Sequence, residues 1–261
     1  MAKPQFLCFL LAFTINLCDA QVRVTKLVIK SNETFSLGES DILVADTLIM
    51  MDSSRLLLNG LKPENYIRAQ VAIFGNNCVI DGRGINGQNG RNGRNGDTPL
   101  GPCRDGTDAR NGGNGLDGGP GVNLYLYFEQ MTARNKMIVD LRGGNGGNGG
   151  DGGNGGGGCA GTIHCRGGNA GNGGNGGSGG NGGRGGVLTV SCTRCSDVRS
   201  LVGQHVILKT GGGSFGFGGR AGYPGAPGLA SNRNNGSKGV GGQDCNTGRS
   251  GEKGGLNFDI N

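Results

Sequence analysis

Between residues 22 and 81, apolar side chains come in short runs, VRVTKLVI, DILVADTLIM, RLLLNG and AQVAIFGNNCVIDG, separated by Gly, Asn, Asp and Ser. Runs of about five residues rich in Val, Ile and Leu between turn formers read as strands. Their spacing predicts a β-rich base, either a β-solenoid of stacked coils or a small sandwich. Similar runs follow at wider intervals: VNLYLYF (122–128) with KMIVDL (136–141), VLTVSC (187–192) with HVILKT (205–210), and LNFDI (256–260) near the end. The expectation is an all-β protein with almost no α-helix.

Between these later runs the apolar pattern stops and a period of three takes over. Residues 143–156 read GGNGGNGGDGGNGG, with Asn145, Asn148, Asp151 and Asn154 at every third place. The register returns at 167–186, with Asn169, Asn172, Asn175, Ser178, Asn181 and Arg184. Three matches neither the 3.6 of an α-helix nor the 2 of a strand. It matches the extended left-handed helix with three residues per turn, on whose pitch residues 143–156 would span about 43 Å and 167–186 about 62 Å.

The chain therefore divides into a leader at 1–20, a β-rich base at 21–81, glycine-rich excursions at 82–121, 142–186 and 211–255, strand pairs at 122–141 and 187–210, and a closing strand at 256–261. Each excursion leaves a strand and returns to one. Six threefold helices projecting from one base could bond through their backbones, because glycine lets chains approach closely and an extended helix leaves its own N–H and C=O groups unpaired. The third-position Asn or Asp is expected to face outward or to bond locally. Disorder is the competing reading, since such segments bury little apolar surface to offset their ordering entropy. Collagen is excluded, because only 7 prolines accompany the 61 glycines and the register breaks repeatedly.

The first twenty residues carry Lys3, the apolar run FLCFLLAFTI (6–15) and a small residue at Ala20. This pattern predicts a secretory signal cleaved near Ala20, too short to span a membrane, and hence a secreted, extracellular protein. A net charge of +6 is spread thinly over arginines separated by Gly and Asn. That spacing argues against nucleic acid as a partner and fits an acidic polysaccharide or anionic surface better. Cys78, Cys103, Cys159, Cys165, Cys192, Cys195 and Cys245 lie after the leader. In an oxidising compartment they predict disulfides before metal ligation, with Cys159 and Cys165 the candidate pair at a hairpin tip. Cys192-Thr-Arg-Cys195 lacks a second pair at zinc spacing, so no metal site and no cofactor are expected.

The Gly-Gly-Asn runs, together with GINGQNGRNGRNG at 84–96, resemble the polyglycine-II bundles of phage tail-tip adhesins and springtail antifreeze proteins. The likeness covers about half the chain and is one of period and composition. It implies tip loops that recognise a surface, or a flat face presented to ice. NNCVIDGRG at 76–84 also resembles the turn-strand-turn of a pectin-lyase-like β-helix, a likeness confined to residues 22–84.

No enzyme is expected. Asp81, Asp140 and Arg142 stand at strand ends where turns use such residues, and neither His164 nor His205 has a visible partner for general-base work. The leading expectation is a secreted structural protein, a subunit of an extracellular fibre or matrix that self-associates through its terminal strands into a homo-oligomer or filament. The alternative is a binding module for a glycan, a cell surface or ice. Its recognition residues would lie in tips at 97–110, 159–165 and 226–239, with Arg104, Asp105, His164, Arg233 and Lys238 as candidates. Phe215, Phe217 and Tyr223 are expected to pack on the base or between helices. Asn32 and Asn235 fit the N-glycosylation pattern.

Overall fold

The computed structural model describes residues 21–195, 198–231 and 234–259; the leader and Arg233 lie outside them. Six long-sheet strands, β1 (Gln21–Ile29), β3 (Ile42–Met50), β5 (Glu64–Phe74), β7 (Asn123–Ala133), β9 (Leu188–Cys192) and β11 (Leu256–Phe258), pair in parallel in that order. A second parallel sheet takes the short strands in the order β10 (Val206–Lys209), β8 (Met137–Asp140), β6 (Val79–Asp81), β4 (Arg55–Leu57) and β2 (Thr34–Ser36). The protein is thus nearly all β. The runs at 122–128 and 136–141 do not pair with each other: β7 bonds β5 and β9, while β8 bonds β6 and β10. Consecutive strands belong to different sheets because each short connection turns a corner instead of reversing the chain.

Alternation explains both the strands and the core. In β3, Leu43, Ala45, Leu48 and Met50 are buried, and the inward phase slips by one residue at the exposed Asp46. β5 slips in the same way at Gln70 and β7 at Glu129, and the aligned Thr25, Asp46, Gln70 and Glu129 fall outside the paired register. Each long strand therefore bends at one polar position, which wraps both halves around the same core. Leu43, Ile67, Leu126 and Val190 align across the long sheet and share the core with Leu56, Ile80 and Val139. Between β9 and β10, helix α1 (Val198–Gln204) brings Leu201 and Val202 beside Leu126, Met131, Met137, Leu188, Val190 and Val206. The run that opens at His205 enters a strand only at Val206.

The glycine-rich excursions leave from β6, β8 and β10 and re-enter at β7, β9 and β11. Their outward runs, near 83–98, 142–158 and 211–229, bond side by side in parallel: Gly90 donates to Asn148 C=O (2.7 Å), and Gly149 to Phe217 C=O (2.8 Å). The return runs, near 104–121, 167–186 and 234–254, do likewise, with Gly115 donating to Ser178 C=O and Gly179 to Asn246 C=O. Outward and return runs pair antiparallel, as where Gly113 donates to Arg91 C=O and Gly177 to Gly150 C=O. Two rows of three result, each continuing one sheet of the base.

Runs 142–158 and 167–186 are central, each bonded to four others, and these two carry glycine at two of every three places. A Cβ at Gly147 would lie 2.0 Å from the Gln88 carbonyl oxygen, and one at Gly146 would lie 2.2 Å from that of Gly180. The outer run 83–98 has fewer neighbours, so Ile85, Gln88, Arg91 and Arg94 occupy what would be the second glycine place. The close approach of the backbones also corrects the expected packing of the aromatics. Tyr223 is 77% exposed and Phe217 62%, because no ring fits between runs that meet backbone to backbone.

This geometry separates two glycine substitutions. Gly147→Ala is expected to destabilise by about 1–3 kcal/mol, the usual cost of overpacking. Gly241→Ala, whose Cβ would meet only Pro224 at 3.7 Å, should stay within about 0.5 kcal/mol. Denaturant unfolding of both variants checks the contrast.

Candidate functional site

The third-position residues do not bond locally. Asn89 Oδ1 accepts the Asn148 N–H (2.8 Å), and Asn148 Oδ1 in turn accepts the Phe217 N–H (2.9 Å). The same relay runs Asn86 to Asn145 to Ser214, Asn92 to Asp151 to Arg220, and Asn95 to Asn154 to Tyr223. In the return row it runs Asp108 to Asn172 to Val240 and Asp117 to Asn181 to Arg249. Every N–H of a central triplet is thereby used. Asn148 gives its N–H to a side chain of one run, Gly149 to the backbone of a second and Gly150 to the backbone of a third. With Oδ1 occupied, the carboxamides of the outward row keep their Nδ2 donors for solvent, while in the return row Asn169 and Asn181 also donate Nδ2 to Asp105 and Asp117 (3.5 and 3.4 Å).

The relay stops at the third excursion. Ser214, Phe217, Arg220 and Tyr223 are neither carboxamides nor carboxylates, Pro224 and Pro227 carry no N–H, and Asp244 Oδ1 takes the Ala221 N–H (2.6 Å). On this side a further run would find few donors and no carboxamide or carboxylate acceptors along 214–223.

The three tips lie at the far end from the base: Cys103 donates to Ala160 C=O, Gly161 to Leu229 C=O and Gly167 to Asn234 C=O. The disulfide there joins Cys103 to Cys165 and not Cys159 to Cys165. Cys159 still belongs to the outward run, donating its N–H to Arg104 C=O and its thiol to Pro99 C=O (2.8 Å), whereas Cys165 sits across the Thr162 turn. A second disulfide closes Cys192 to Cys195, and Cys78, Cys159 and Cys245 are free thiols. Burial in the core pushes the Cys78 thiol up to about 11.

Of the tip candidates, Arg104 is exposed and donates Nη1 to Leu100 C=O (3.2 Å), and His164 is exposed in the Thr162 turn. Asp105 is a member of the relay, accepting the Asn169 N–H (2.7 Å), so it has a structural partner. Lys238 lies along the last return run, next to Ser237, which bonds Asn169 Oδ1. Asn32 is exposed with φ 62° in the turn after β1, while Asn235 Oδ1 accepts the Ala230 N–H (2.9 Å).

Chemistry concentrates at the opposite end, where the outward runs leave the short sheet. Asp81 and Asp140 are neighbours across β6 and β8, both almost fully buried. Arg83 grips Asp81 through Nε (3.0 Å) and Nη2 (3.0 Å), and Arg142 grips Asp140 through Nε (2.9 Å) and Nη2 (2.7 Å). Arg55 adds a third guanidinium at 3.2 Å from Asp81. Burial acts to raise the Asp140 pKa, but the Arg142 side-chain and backbone hydrogen bonds and the charges of Arg142 and Arg83 outweigh it, so the carboxyl sits below its usual range. The Arg83 and Arg142 guanidiniums are raised, mainly by their hydrogen bonds to these carboxylates. Both arginines line an open groove of about 600 Å³ with Asn86, Asn145, Gly212 and Ser214. The signal in the sequence was a repeated Asp-x-Arg at 81–83 and 140–142, one at the start of each of the first two excursions. Among the described residues no cluster of His, Cys, Asp or Glu could hold a metal, and no helix is long and apolar enough to cross a membrane.

Two predictions follow from side-chain roles. Asn148→Ala should cost about 1 kcal/mol and speed amide exchange at Phe217, while Asn148→Asp, which keeps the acceptor, should leave that amide protected. Because Asp140 titrates lower when folded, it contributes stability above its unfolded pKa and loses that contribution as pH falls through the folded value. Asp140→Asn should therefore lower stability at pH 7 and flatten the acid limb between about pH 5 and 2 in a pH series of denaturant melts.

No protein-family model, curated protein or solved structure matches this chain.

Proposed function

We propose that this is a secreted, non-catalytic structural module of an extracellular matrix or surface coat, in which a β-solenoid base carries a stiff polyglycine-II bundle as a spacer. The observation that supports it best is the donor accounting in runs 142–158 and 167–186, where backbone bonds to four neighbouring runs make up for a missing apolar core. Such a lattice resists bending without a buried side chain, which suits a load-bearing or spacing element better than a catalyst. Two disulfides fit an oxidising compartment. Asp244, Pro224 and Pro227 on the last runs, and helix α1 beside the terminal coil, favour a discrete particle on that side over head-to-tail growth.

A second reading, the self-assembling fibre subunit, is favoured by β1, a nine-residue strand at the edge of the long sheet. Negative-stain electron microscopy with light scattering on residues 21–261 under oxidising conditions separates the two. Discrete particles of one or two copies, unchanged in mass over a tenfold concentration range, are expected. Regular filaments would overturn the spacer reading and move the function to β1, where Val24→Pro should then abolish assembly.

A further inference from the structure

The groove at the foot of the bundle has the makings of a binding site for a specific chemistry. Two guanidiniums line it, each held in place by a carboxylate that is itself buried, so their positions are fixed by the core of the base. Nε and Nη2 of each arginine bond the aspartate, and Nη1 of each has no hydrogen-bond partner among the described residues. Three arginines against two aspartates give the cluster a net charge of about +1; Asp81 itself lines the groove beside Arg83 and Arg142, and Arg55 stands outside the lining. Beside Leu57 and the Asp81 carboxylate, the lining offers further donors. Asn86 and Asn145 spend Oδ1 on backbone N–H groups and keep Nδ2, the Ser214 hydroxyl is present, and the Gly212 N–H has no partner among the described residues.

From this foot the same face extends outward along Asn89, Asn92 and Asn95 on one run and Asn148, Asp151 and Asn154 on the next, about 9.3 Å apart along each run, with the Asp151 carboxylate interrupting the carboxamide row. A small oxyanion would satisfy only the foot. A chain carrying anionic groups and many hydroxyls would meet both the fixed guanidiniums and the donor rows.

We propose that the groove between Arg83 and Arg142, continued by the carboxamide face of the outward runs, binds an anionic polysaccharide through its carboxylate or sulfate groups. This names a partner class for the extracellular module proposed above, and it rests on that reading only for the compartment; particle size plays no part in its test. Planar guanidinium forks suit both oxyanions, since each presents paired oxygens. No aromatic ring lines the foot of the groove; Phe217 and Tyr223 stand exposed farther along the adjoining run, so a single-stranded DNA probe separates a glycan from stacked bases.

The test is calorimetric titration of the oxidised mature chain with three hexameric probes: an oligogalacturonate, a heparin-type sulfated oligosaccharide and a single-stranded DNA. Binding of at least one glycan is expected, and which one binds identifies the anion. Arg83→Gln/Arg142→Gln should weaken it about tenfold or more, while Arg91→Gln/Arg94→Gln, on the outer edge, should change it less than about twofold. Because neutralising the junction arginines could unfold it, Asn86→Asp/Asn145→Asp serves as a second variant. It keeps both relay acceptors, as Asp151 and Asp105 do, so the melting temperature should hold while glycan binding falls by a similar factor. No binding by either glycan, equal loss in the outer-edge variant, unchanged binding in the Asn86→Asp/Asn145→Asp variant, or tighter binding of the DNA would each overturn the proposal.

Discussion

The hydrogen bond from a third-position N–H to the carboxamide or carboxylate oxygen of the preceding run is the interaction on which the glycine-rich half depends. Close approach of glycine backbones satisfies two of the three N–H groups in a triplet, and the third points where no carbonyl can reach it. Asn148 both donates to Asn89 Oδ1 and accepts from Phe217, so a single residue type closes the account for its own run and the next. The cost of ordering glycine is high; it is offset here by leaving almost no backbone donor of the central runs unpaired. The substitution of Asp for Asn at 105, 108, 117 and 151 follows from the same rule, since only the acceptor is needed.

That lattice needs a template, and the base provides it. Parallel strands lie about 4.8 Å apart, and each outward run simply prolongs a short-sheet strand while each return run leads into a long-sheet strand. The runs therefore begin in register and need not find it. The Asp-x-Arg pairs stand at this handover. Asp81 and Asp140 belong to the buried sheet, and their arginines reach back to them just as the chain departs into solvent-facing glycine. A structural clamp and a cationic groove are the same four side chains seen from opposite sides.

The two ends of the stack are unlike. β1 presents a long edge with half-buried Val22, Val24 and Leu27, while the last runs carry proline, a side-chain cap at Ala221 and aromatics exposed on the face. Edge protection of this kind limits growth in one direction, and it leaves Phe217 and Tyr223 exposed on that face. At the tips the Cys103–Cys165 bridge ties the first excursion to the second, fixing the end of the lattice as the base fixes its start.

The sequence by itself determined the strands, as short apolar runs between turn formers, and the glycine runs, through period three, because both signals reflect local backbone geometry. Which glycine runs are central was decided by the bundle, where neighbours crowd runs 142–158 and 167–186 on both sides and two glycines per triplet are required. Tertiary structure alone decided that adjacent strands such as β7 and β8 join different sheets, because the bend at Glu129 and the corner after Ala133 act through packing. It decided that Asn and Asp bond to other runs and not locally, since their partners lie 59 to 69 residues away. It decided that Cys165 meets Cys103, a residue 62 positions earlier, and not Cys159, six positions away and held in its own run. Contacts of that separation leave no trace in local composition; they are set by which runs the base brings side by side.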